Sequence, residues 1–189
     1  MKKVVFKPVF GLALLAFVLS GCDLVEKADD VTFEITLNHT FVVDENSPSQ
    51  NHPYTGDPVL LDLASHTDVA PYINKIKSVE LTKVEYSITD YTSDPPGTAV
   101  MFTGGTMNYS ATDGGTSSEL STVPGPLNLM TASGINELPK NDANFNALAK
   151  LLLDNKQAYV FTKGTLSSTP VSFNVPTTFY VTITANALD

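Results

Sequence analysis

The feature that most constrains this chain is strict period-two alternation near both ends of its main body. At the C-terminal side, Val171, Phe173, Val175, Phe179, Val181 and Ile183 share one parity, with Thr and Ser opposite them. At the N-terminal side, Val31, Phe33, Ile35, Leu37, His39, Phe41 and Val43 share one parity, and Thr32, Glu34, Thr36, Asn38 and Thr40 the other. Successive side chains of a strand point to opposite faces, so this pattern is that of long strands with one buried face and one wet face. His39 falls on the apolar parity and reads as a core or rim histidine. Pro176 falls on the polar parity, which marks an edge or a kink.

Between these ends the chain reads as further strands separated by turns. Residues 44–57, DENSPSQNHPYTGD, carry the Pro, Asn, Asp and Gly of a loop. Val59 to Leu63 is a short strand. Around Lys83 the apolar parity changes, from Val79 and Leu81 to Val84, Tyr86 and Ile88, which predicts a β-bulge. DPPG at 94–97 and TDGGTSSE at 112–119 are turns, and a strand between them is softened by Gly104 and Gly105. Leu120 to Val123 is another strand, and residues 124–140 are irregular or partly extended.

Two short helices are expected. In the first, Val69, Tyr72, Ile73 and Ile76 recur at helical spacing, with Asp68 as cap and Pro71 in the first turn. In the second, Phe145, Leu148, Ala149 and Leu152 form a stripe after Asn141 or Asp142 as cap. Residues 157–170 and 171–187 read as two further strands. Strands do not alternate with helices as βαβ units would. The expected class is mainly β: an antiparallel β-sandwich, Ig-like or jelly-roll-like, with two short helices.

The first 22 residues carry a different signal. Lys2, Lys3 and Lys7 precede an uncharged run from Val9 to Leu19, the layout of a secretory signal peptide. The run of about eleven residues would reach only roughly half of a hydrocarbon core, so it is a poor permanent span. It ends in Leu19-Ser20-Gly21-Cys22, and Cys22 is the one cysteine of the chain. This quartet resembles the lipobox of bacterial lipoprotein precursors. The resemblance implies a diacylglycerol on the Cys22 thiol, cleavage before Cys22, and a fatty acyl chain such as palmitate on the new amino terminus. The acidic stretch Glu26-Lys27-Ala28-Asp29-Asp30 resembles the surface-export signal of Bacteroidetes-like lipoproteins, although it starts later than that pattern. Asp23 resembles the inner-membrane retention signal of enterobacteria. The expected organisation is signal peptide 1–21, lipidated Cys and acidic tether 22–30, and one β-sandwich domain 31–189. The expected address is the cell envelope: the outer membrane or cell surface, with the periplasmic face of the inner membrane as the alternative.

Charge narrows the function. After residue 21 the chain holds eight lysines, no arginine and twenty acids, a net charge of −12. Nucleic-acid binding needs a basic face, so it is not expected. The three histidines, His39, His52 and His66, show no metal-ligand spacing, neither acidic turn matches a calcium loop, and no G-x-S-x-G is present. No catalytic residue, metal or cofactor is expected. The carboxylates Glu80, Glu85, Asp90 and Asp94 read as solvent-facing strand and turn residues. Two functions stand: a non-enzymatic envelope lipoprotein with a structural or interaction role, whose partners are the membrane and an envelope protein or glycan; or a carbohydrate- or peptide-binding lipoprotein of an uptake or adhesion system. For the second, Tyr54, Tyr91 and Tyr109 lie in or beside loops, where rings could stack on a ligand.

Overall fold

In the computed structural model, residues 29–187 are described. The signal segment, the Leu19-Ser20-Gly21-Cys22 quartet and most of the tether lie outside the described residues. The strands are β1 (Asp30–Thr55), β2 (Val59–Asp62), β3 (Ile76–Tyr86), β4 (Thr89–Ser93), β5 (Met101–Ser110), β6 (Ser118–Val123), β7 (Leu127–Asn128), β8 (Asn136–Glu137) and β9 (Gln157–Asn186). They form one antiparallel sheet organised by β9. On one side β9 pairs first with β1 and then, at its own start, with β2. On the other side it pairs in turn with β3, β4 and β5. The architecture is therefore mainly antiparallel β, as the alternation predicts.

β9 has 30 residues. At strand rise it would run roughly 100 Å if straight, whereas a domain of about 160 residues has a radius of gyration near 15 Å. It therefore curls. Thr162 and Val175 line the same interior cavity, although a straight strand would hold them about 43 Å apart. The inward parity changes at the curl. Ala158, Val160, Thr162 and Leu166 are buried on even numbers, and Thr169 through Ala185 on odd ones. β1 changes parity with it: Ile35, Leu37, Phe41 and Val43 point inward, then Tyr54. Between Glu45 and Ser49 a bulge gives β1 two extra residues, which kink it without changing its parity, and the Thr169 hydroxyl donates to the Ser47 carbonyl. The inward parity itself changes between Ser49 and His52, about Asn51, whose φ is 49°.

At the tight end of the curl a glycine pair permits close approach. Gly105 pairs with Gly164 across β5 and β9. A Cβ on Gly105 would lie 2.1 Å from the Lys163 carbonyl oxygen, and one on Gly164 2.3 Å from the Phe102 ring. The Tyr54 and Phe102 rings occupy the space those side chains would take.

The helix, α1 (Asp142–Asn155), forms where the apolar stripe places it. The Asn141 side chain accepts from the Asn144 amide at 3.3 Å, and Phe145, Leu148, Ala149 and Leu152 are all buried. It ends at Lys156 in the left-handed region, φ 64°, whose amide returns to Leu152 and whose carbonyl accepts from Leu63.

Several expectations are corrected. The first expected helix is only a 3-10 turn, Ala70–Tyr72. Asp68 does not cap it; its amide instead donates to His66 Nδ1 at 3.3 Å. The helix stops because Ile76 is already paired with Ala185, and the Asn186 amide donates to the Lys75 carbonyl. Residues 44–55 are not a loop: despite Pro48 and Pro53 they continue β1, since their edge position leaves room for both prolines. The two expected C-terminal strands are one strand. Pro176 is not at an edge. Its carbonyl accepts from the Ser87 amide at 3.0 Å, so its missing N–H faces the gap between β3 and β4, where no ladder bond is lost. Within the irregular stretch, β7 and β8 add short pairings. The bulge at Lys83 is present: Leu81 pairs with Val181 and Lys83 with Tyr180.

The core centres on Phe179, flanked by Leu37 and Val84, and both Phe179 and Val84 are 0% exposed. Phe179→Ala should lower unfolding free energy by about 3–5 kcal/mol, while Val42→Thr, 60% exposed on the wet face, should change it by under about 0.5 kcal/mol. Urea denaturation of the two variants checks this; equal costs would show that the core is not centred on β9.

Candidate functional site

The three tyrosines singled out by sequence do not come together as an open platform. Tyr54 and Tyr109 are buried. Burial pushes the Tyr54 phenol up to about 12. Its neutral form is thus favoured by folding, a contribution present below pH 10 and lost as pH rises towards 12. Tyr91 is half-buried, and its hydroxyl is engaged twice, donating to the Thr98 carbonyl at 2.6 Å and accepting from the Val100 amide at 3.1 Å. Tyr91 thereby closes the turn that leads into β5. Each ring serves packing or a turn.

The polar chemistry lies instead on the wet face of the sheet, around the β3 bulge. The extra residue, Thr82, donates from its hydroxyl to the Tyr180 carbonyl at 3.1 Å. It also sets Lys83 directly opposite Tyr180. Lys83 Nζ donates to Glu85 Oε1 at 2.8 Å, and the Tyr180 hydroxyl donates to Glu85 Oε2 at 2.6 Å. The Lys83 ammonium sits 4.2 Å from the centre of the Tyr180 ring. The Lys83 and Tyr180 hydrogen bonds hold the Glu85 carboxyl below its ordinary value. The same bonds to Glu85 raise Lys83 and Tyr180.

Beside this cluster opens the roomiest of the described pockets, about 500 Å³, lined by Glu34, Thr36, His66, Asp68, Tyr180 and Thr182 among others. His66 Nδ1 accepts from the Asp68 amide, which leaves its Nε2 as the N–H of the neutral ring. Two carboxylates, an imidazole, threonine hydroxyls and a tyrosine make this a polar, anion-repelling recess able to exchange hydrogen bonds with a polar ligand. A second, interior cavity of about 30 Å³ lies between Tyr54, Phe102, Thr162 and Val175 and holds no more than a water or two.

The other sequence candidates are dispersed. His39 is half-buried at the rim, where burial lowers its pKa. His52 Nε2 meets Glu45 Oε2 at 2.9 Å within β1. Glu80, Asp90 and Asp94 are exposed, as expected, whereas Glu85 is partly covered and doubly bonded. Among the described residues no group of three or more His, Cys, Asp and Glu is placed to hold a metal, and no helix is long and apolar enough to cross a membrane. Sequence reasoning missed Tyr180 and set His66 aside with the other histidines for want of metal-ligand spacing. The signal for Tyr180 was the bulge itself, but its partner lies 95 positions away from Glu85, and only sheet register joins them.

No protein-family model matches the chain. No curated protein matches it either. Among solved structures it has weak likeness to the decameric BFDV capsid protein, with a TM-score of 0.40 and 9% identity over 82% of this chain and 98% of that one. The structure of infectious bursal disease virus, Gx strain, gives 0.31 and 13% over 85% of this chain and 37% of that one. Desmodium yellow mottle tymovirus gives 0.23 and 11% over 100% and 91%. At these scores nothing about function follows from the likeness.

The wet-face cluster generates a pH dependence. A carboxyl lowered on folding contributes stability above its unfolded value near 4.3, and loses it as pH falls through the lower folded value. Glu85→Gln should therefore be less stable than the native chain at pH 7, and the two denaturation midpoints should converge as pH falls below the ordinary carboxylate range. A gap that stays constant with pH would show that Glu85 acts by packing rather than by charge.

Proposed function

We propose that this chain is a lipid-anchored lipoprotein of the bacterial cell envelope with a non-enzymatic, structural or interaction role. The observation that carries the reading is Leu19-Ser20-Gly21-Cys22, standing at the end of an uncharged run behind three lysines, with no second cysteine in the chain. Each buried CH2 of an acyl chain contributes about 0.8 kcal/mol, and one chain anchors only marginally. Two or three chains on Cys22 make the attachment effectively permanent. The sheet begins at Asp30, so the tether from Cys22 spans at most about 28 Å and keeps the domain close to its membrane. The acidic tether favours the outer membrane or cell surface over the periplasmic face of the inner membrane. The domain so tethered is a jelly-roll-like or Ig-like β-sandwich in this reading, supported by the curl that brings both halves of β9 against one core. Its partners would be an envelope protein or a glycan.

A second reading, a carbohydrate- or peptide-binding lipoprotein of an uptake or adhesion system, is favoured by one observation: the polar recess between Glu34, His66, Asp68 and Tyr180. It draws no support from Tyr54 and Tyr109, which are buried. Binding of the purified chain to a glycan array, abolished by His66→Ala, is the expected result of that reading; an array without a hit counts against it.

For the anchor, the native protein should begin at Cys22 and carry acyl mass. Cys22→Ser should leave an uncleaved or soluble product that takes up no fatty-acid probe. If this variant partitions with membranes as the native chain does, the lipid attachment is wrong.

A further inference from the structure

The long strand β1 is an edge strand. Among the described residues it pairs with β9 alone, and no other backbone–backbone bond involves residues 32–44. Which of its groups are free follows from β9. The carbonyls of Tyr180 and Pro176 accept from Thr82 and Ser87, so even-numbered residues in this part of β9 aim their backbone towards β3 and β4. In an antiparallel ladder the N–H and C=O of one residue point the same way. The β1 residues opposite them, Thr36 on Tyr180 and Thr40 on Pro176, are therefore the non-hydrogen-bonded pairs. Hence Thr32, Glu34, Thr36, Asn38, Thr40, Val42 and Asp44 aim their N–H and C=O away from the sheet. All seven side chains are exposed.

Proteins usually blunt such an edge with Lys, Pro, a bulge or a covering loop. Further along β1, Pro48, Pro53 and the bulge at 46–48 do this. Residues 32–44 have no proline, no lysine and no bulge of their own.

We propose that this edge pairs with the same edge of a second copy of the chain, antiparallel about a two-fold axis at Asn38. The pairing makes one continuous sheet across two molecules. Outward-facing residues must meet outward-facing residues, so even numbers pair with even. With Asn38 opposite Asn38, Thr36 meets Thr40, Glu34 meets Val42, Thr32 meets Asp44, and Asp30 meets Asn46. Every acid then faces a neutral residue, and Val42, one of the few exposed large apolar side chains, is covered by the stem of Glu34. The neighbouring register, with its axis at Leu37, sets Asp30 against Asp44, a like-charge pair that disfavours it. Only the axis at Asn38 pairs all seven outward residues from Thr32 to Asp44 with one another, and it does so with no two acids opposed, which favours a second copy as the occupant over an unrelated strand. This inference rests on β1 and β9 alone and is independent of the lipid anchor.

Two variants of the full chain, purified in detergent at about 0.15 M salt to screen the net negative charge, test it. Asn38→Lys puts two ammonium groups at the axis and leaves the ladder to β9 intact. Sedimentation should show a dimer for the native chain and at least roughly tenfold weaker association for the variant, with a melting midpoint shifted by no more than about 4 °C. Asn38→Cys, made together with Cys22→Ser so that the introduced thiol is the one in the chain, as it also is for the control below, should form a covalent dimer under mild oxidation, because opposed Cα atoms in a hydrogen-bonded pair stand about 5.5 Å apart, within disulfide range. Glu80→Cys, exposed on β3, should not. A native chain that stays monomeric up to roughly 100 μM, or equal crosslinking at the two positions, overturns the proposal.

Discussion

The rest of the structure depends on the two-sided pairing of β9. Five of the other eight strands hydrogen-bond to it, three in succession along one edge and two along the other. Its inward residues Phe179, Val181, Ile183 and Ala185 are essentially inaccessible to water. A strand bonded on both edges along most of its length has its backbone groups satisfied by the ladder, which permits the burial of so long an apolar row without orphaned donors. The cost is topological. A strand of this length must bend to give a compact body, and the bend must turn its buried face over.

The devices that achieve the bend are local and chemically plain. The bulge in β1 at residues 46–48 lets β1 turn with β9. The glycine pair 105 and 164 lets β5 and β9 lie close while the Tyr54 and Phe102 rings cap the bare backbone. The β3 bulge has a different consequence. By inserting Thr82 it places Lys83 over Tyr180 and Glu85 between them, so a distortion of the ladder becomes the most strongly coupled polar cluster on the wet face. The recess beside it therefore owes its composition to sheet register as much as to the residues themselves.

What was legible in the sequence was local. Alternation marked the inward rows of β1 and β9, the phase change marked the bulge at Lys83, and Asn141 with its stripe marked α1, because each signal is written within one or two turns or pleats of the chain. The first helix failed because the same apolar residues that give helical spacing, Ile73 and Ile76, lie next to a strand partner at Ala185 that local pattern cannot see. The loop at 44–55 failed because Pro, Asn and Ser are compatible with an edge strand when the opposing strand supplies the bonds. The tyrosines looked available because they stand near turn residues, and are covered because the curl folds the sheet over two of them.

The sequence by itself determined the class of structure, the identity of the core rows, the helix and the lipobox-like quartet at Cys22, since these depend only on which residues follow one another. The tertiary structure alone decided that two expected strands are one, that Glu85 meets Tyr180, that Tyr54 is interior, and that β1, among the described residues, is paired along one edge only. The physical reason is that hydrogen bonds across a sheet join residues up to some 150 positions apart, and register is set by the sum of all those bonds and contacts rather than by any short stretch of chain.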